Sequence, residues 1–123
     1  MKKIILLLTL TLLFSYNVSA KYVQTCDVKY MTENGWSKKY TVKTNFLTGK
    51  ELNDATESFN YTTHSVYAVI FWGEGQATVI KISTILLCGY EVDESCIKNT
   101  INDFKGKDQD DDLWSICVSD FCI

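Results

Sequence analysis

The chain has 123 residues, a formal net charge of −3 and no proline, and its twelve cationic side chains are all lysine. An acidic chain without arginine lacks the basic footprint and the bidentate forks that nucleic-acid recognition uses. Anionic membrane surfaces are disfavoured on the same grounds.

Residues 1–20 differ in character from the rest. Lys2 and Lys3 form a basic start, Ile4 to Phe14 is apolar apart from Thr9 and Thr11, and Val18-Ser19-Ala20 offers a peptidase site. This reads as a secretory signal, with an apolar stretch too short to span a bilayer. The mature chain, Lys21 to Ile123, is then expected to be one secreted or periplasmic domain without membrane insertion, a monomer in solution. Two lysines and no acid leave with the signal, so its net charge falls to −5.

Trp36 lies in Asn34-Gly35-Trp36-Ser37, beside a turn signal and outside any strand pattern, and is therefore expected to be exposed. From Lys39 to Phe46 the chain alternates, with Tyr40, Val42 and Phe46 on one face and Lys39, Thr41, Lys43 and Asn45 on the other. That period marks a half-buried strand. Thr48-Gly49-Lys50-Glu51 fits a capping box, which starts a helix at Gly49. The residues after it are mixed helix formers, so a single turn or irregular loop competes with the helix. Phe59 and Tyr61 repeat the alternation briefly. Asn60-Tyr61-Thr62 is a glycosylation sequon, meaningful only on a eukaryotic export route.

His64, the one histidine, falls in a polar connection. A hydrolase built on His64 with nearby carboxylates is the alternative to a binding role, although no strained nucleophile turn accompanies it. Val66–Trp72 and Ala77–Ile82 are apolar runs around Gly73-Glu74-Gly75-Gln76, the signature of a hairpin. Its first arm reads as covered on both faces. Trp72 reads primarily as core packing, yet it adjoins the hairpin tip and joins Trp36 and Glu74 as the candidate contact set.

Five cysteines, Cys26, Cys88, Cys96, Cys117 and Cys122, imply a disulfide framework with one left over, which leaves fifteen two-bridge patterns open. Cys88 and Cys96 flank a short segment and are the first expected pair, with Gly89–Ser95 as a loop or edge strand between them. A bridge from Cys26 to Cys117 or Cys122 would close a long loop and stabilise by roughly 4 kcal/mol. Zinc is disfavoured, since Cys117 and Cys122 have no second half-site.

Phe104 and Ile101 precede Lys105-Gly106, and Trp114, Ile116 and Val118 alternate, so the chain is expected to end in a second hairpin. Its tip, Asp108-Gln109-Asp110-Asp111-Asp112, matches the first three ligand positions of a calcium loop with Asp108, Asp110 and Asp112. The glycine and the distal glutamate of that loop are missing, so a solvated turn is the first reading and a calcium-stabilised structural module the alternative. No phosphate cradle or cofactor motif occurs.

The expected fold is all-β, an antiparallel barrel of roughly six strands with a two-sheet sandwich as runner-up. The expected function is non-catalytic binding of an extracellular or periplasmic protein or glycan.

Overall fold

The computed structural model describes residues 22–83, 88–89, 91–98 and 103–118. The expected signal segment, Ile101 and Cys122 lie outside them. The fold is a closed antiparallel barrel of six strands, β1(Tyr22–Thr32), β3(Tyr40–Thr48), β4(Val66–Gly73), β5(Gln76–Ile82), β6(Asp103–Asp108) and β7(Leu113–Cys117), with β7 returning to pair with β1. The two-residue strand β2(Gly35–Trp36) adds to the end of β1. The described residues also include helices α1(Gly49–Thr56) and α2(Glu94–Lys98). Among the described residues no helix is long and apolar enough to cross a membrane.

One parity rule organises the barrel. Apart from the shifted pair Gly73↔Gln76, the registers between barrel strands pair even-numbered residues with even, as in Tyr22↔Phe46, Ala68↔Ile80 and Phe104↔Ile116, so even-numbered residues face inward on the barrel strands. Phe46, Ile70, Ile80, Phe104, Trp114 and Ile116 are fully buried there. The odd-numbered Leu47, Tyr67, Val69 and Val79 are also buried, because Leu52 of α1 packs over the outside of β3, β4 and β5. The first arm of the central hairpin is therefore covered on both faces from Val66 to Ile70, as its composition implies, and Phe71 is the first exposed residue.

The capping box at Thr48 is formed in full. Thr48 Oγ1 accepts from Glu51 N, and Glu51 Oε1 accepts from Thr48 N. The helix wins over the irregular alternative and ends at Glu57 in the left-handed region, φ 52°. The same Glu51 oxygen accepts from Val92 N. This ties α1 to the segment between β5 and β6, whose Val92 and Ile97 close the lower end of the barrel as part of its core. Cys88 and Cys96 are bonded within that segment, as their spacing suggests. In place of an edge strand the segment carries α2, capped by Asp93, whose Oδ1 accepts from Cys96 N and Ser95 Oγ. Those two donors hold the Asp93 carboxyl below its ordinary range.

Cys117 is also disulfide-bonded, whereas Cys26 is free and buried inside the barrel, so no bridge ties it to the C-terminal cysteines. Burial pushes its thiol up to about 11 against a hydrogen bond with Thr44 that lowers it, and the adjacent Asp27 charge adds a further rise. Such a thiol is inert at neutral pH. Phe59 and Tyr61 form no strand: they lie on the return from α1 to β4, where the Asn53 side chain pairs with both Tyr61 N and Tyr61 O. Phe59 is 99% exposed.

Candidate functional site

The upper end of the barrel gathers the connections that the sequence singles out. β1 rises to this end, and the β1–β2 hairpin, the β4–β5 turn and the β6–β7 turn all lie there because successive strands are antiparallel. The rim beneath them is plugged by inward-facing aromatics. Trp72 packs edge-on against Tyr40 at 5.7 Å and tilted against Trp114 at 6.3 Å, and Tyr30 lies 5.1 Å from Trp114. The Trp72 indole donates to Thr78 Oγ1 at 2.8 Å. Trp72 thus serves the interior, with its polar atom satisfied by a buried threonine.

Trp36 stands on the other side of the rim. The β1 ladders with β3 and β7 end at Val28↔Tyr40 and Tyr30↔Trp114, so Met31 and Thr32 run past the barrel and pair only with Trp36 and Gly35. Ser37 closes the base of this projection: its N donates to Tyr30 O, and its Oγ accepts from Tyr30 N. Met31 and Trp36 are direct cross-strand neighbours, each 36% exposed. The Lys29 ammonium sits 5.2 Å from the Trp36 ring centroid, and Lys38 lies 5.1 Å from that of Tyr40. Met31 and Lys29 escaped the sequence reading, although the parity set by Tyr30 and Val28 puts both on the outer face.

Glu74 occupies the exposed tip of the β4–β5 hairpin. Glu74 and Gly75 both have positive φ, 52° and 78°, as a two-residue primed turn requires. A register shift between Phe71 and Gly73 precedes it.

The acidic turn is held together by its first aspartate. Asp108 is even-numbered on β6 and points inward. Its Oδ2 accepts from the Trp114 indole at 2.8 Å, and its Oδ1 accepts from Asp110 N and Asp112 N at 2.8 and 3.0 Å. Gln109 turns back to β5, accepting from Val79 N and donating to Ala77 O. It stands in for a strand rung beyond the last backbone pair, Ile80↔Asp108. Asp111 takes the left-handed region at φ 68°. One oxygen from each of Asp108, Asp110 and Asp112 lies within 4.8 Å of the others, close enough to share a cation. The same Asp108 oxygens are nevertheless engaged by three N–H groups, so the residue has a structural task without any ion.

His64 lies in the exposed turn before β4. Depressions of about 540, 270 and 420 Å³ are lined by described residues, and none of these is lined by His64, Trp36, Trp72 or Glu74. The one of about 540 Å³ lies beside α1 and Phe59, away from the rim. Comparison with known proteins finds no family model, no curated protein and no solved structure that matches the chain.

Proposed function

We propose that the chain is a small exported binding module whose contact surface is the projecting β1–β2 hairpin with the rim beside it. The observation that carries the reading is Met31 beside Trp36. Two large apolar side chains sit together on a two-stranded extension that the barrel does not need for closure. Exposed tryptophan supplies large contact area at low conformational cost, and paired exposure of this kind is a feature of recognition surfaces. Export is supported by the N-terminal pattern of residues 1–20 and by the Cys88–Cys96 disulfide, which suits an oxidising compartment.

The test is affinity capture from the native extracellular or periplasmic fluid with wild-type protein and Trp36→Ala. Loss of a partner with the variant is expected. Equal recovery of every partner would remove the hairpin as the contact surface.

A further inference from the structure

The outer face of β1 and upper β3, continuous with the hairpin, has a charge opposite to that of the protein. Between residues 29 and 43 the chain carries Lys29, Lys38, Lys39 and Lys43 against a single acid, Glu33. Four of the ten lysines that follow the signal fall in this short span of a net-negative chain. Lys43 is paired across from Thr25, and Lys29 and Lys39 are the residues next beyond the last pair of the ladder, Val28↔Tyr40, at the rim. About 13 Å of extended chain separates Lys39 from Lys43. Asp27, between them, is engaged by Thr41 Oγ1 at 2.7 Å and by Lys39 Nζ at 3.7 Å. Beside this row stand Met31 and Trp36, and helix α1, which covers β3 to β5 lower down, packs on none of it.

The backbone narrows the class of partner. From Asp27 to Tyr30 β1 is engaged on both sides, by β3 and Ser37 on one and by β7 on the other, and β2 continues the β3 side past the rim. Along that stretch a peptide could not add as a strand, and only side chains are on offer. Spaced ammonium groups beside an indole suit a polymer with repeating anionic groups on flat, partly apolar rings. Nucleic acid also has that form, but the face lacks the arginine forks suited to phosphate. We infer that this face binds an acidic polysaccharide, with carboxylate or sulfate groups on Lys29, Lys39 and Lys43 and sugar rings against Trp36 and Met31. The inference rests on the reading of the hairpin as a contact surface and names its ligand.

The experiment is retention of the folded protein on immobilised heparin (sulfated), polygalacturonate (carboxylated) and neutral dextran at pH 7, eluted with increasing salt. Wild type is expected to be held by at least one charged matrix and not by dextran, and the preferred matrix identifies sulfate or carboxylate. The Lys39→Gln/Lys43→Gln variant should weaken retention about tenfold and reduce its salt dependence. Trp36→Ala should weaken it without changing the salt dependence. A Lys81→Gln/Lys107→Gln variant, altered on the outer face of β5 and β6, should behave as wild type. Passage of wild type through both charged matrices would overturn the inference. Equal loss with the Lys81/Lys107 variant would also overturn it, because that is plain ion exchange, and so would tighter binding to polyglutamate or single-stranded DNA. If the charged matrices fail while Trp36→Ala still loses a native partner, the hairpin reading stands and the sugar assignment alone falls.

Discussion

Asp108→Asn offers the sharpest check on how the acidic turn is built. The carboxylate receives three N–H groups, one of them the indole of Trp114, which is fully buried. An asparagine has one acceptor oxygen. If that oxygen keeps the two backbone donors, the amide NH₂ faces the indole N–H, donor against donor. If the amide flips, the backbone amides of Asp110 and Asp112 lose their acceptor. Either arrangement forfeits a hydrogen bond to a charged group, worth about 1.5–3 kcal/mol, and leaves a buried donor unpaired at about 1–3 kcal/mol. Allowing for relaxation, the expected loss is about 2–4 kcal/mol, or a fall in Tm of roughly 10–25 °C for a domain of this size. Urea unfolding followed by tryptophan fluorescence measures it. Trp114→Phe removes the facing N–H, so the double variant should recover about 1–2 kcal/mol relative to additivity. Asp110→Asn, on an exposed residue, should cost less than about 0.5 kcal/mol. A loss at Asp108 no greater than at Asp110, or a coupling of zero with Trp114, would refute this account.

The remaining predictions concern the cation, the thiol, the helix start and the lower closure. Millimolar calcium against chelator should leave the melting temperature unchanged, since the Asp108 oxygens already have partners; a rise of several degrees would show a bound ion. Cys26 has a folded pKa raised from 9.0 to about 11, so its contribution is fully present below pH 9 and is lost as pH rises from 9 through 11. The difference in stability between pH 8 and pH 11 should therefore shrink by about 2 kcal/mol in Cys26→Ala, and an identical alkaline decline in both proteins would contradict it. Gly49→Ala should cost about 3 kcal/mol or more, because a Cβ there would overlap the carbonyl of Thr62 on the return loop; near-neutral melting would refute that packing. Removing the Cys88–Cys96 bond by Cys88→Ser/Cys96→Ser should cost about 2.5 kcal/mol from the short loop it closes, read from denaturant midpoints.

Much of the barrel was legible because alternation is local. Tyr40 to Phe46, the two arms around Gly73–Gln76 and the run after Leu113 each announce a strand without reference to any other part of the chain. Closure was not legible in the same way. The strand that seals the barrel, Tyr22–Thr32, carries its own alternation in Tyr22, Cys26, Val28 and Tyr30, but with Gln24 inward and Val23 outward the pattern is blurred. Only its pairing with both β3 and β7 makes it decisive. Helix α2 spans five residues, too few for a helical period to show. Phe59 looked like part of a strand because apolar character suggests burial, whereas the return loop is held by Asn53 and leaves that ring outside. For the site, parity was the unused signal. Trp72 shares its parity with Ile70 and Ala68 and so turns inward, and Asp108 shares its parity with Phe104. The first of the four aspartates is thus interior, while Trp36 was placed outside by its turn context alone.

Glu51 Oε1 receives both Thr48 N, at the first turn of α1, and Val92 N, on the segment that closes the barrel. One atom therefore couples the order of the closing segment to the order of the helix, although Glu51 and Val92 are 41 residues apart in the chain. Their amides should exchange with solvent as one cooperative unit, opening together before the strands do. A change that frays the start of α1 would be felt first as solvent entering the barrel from below.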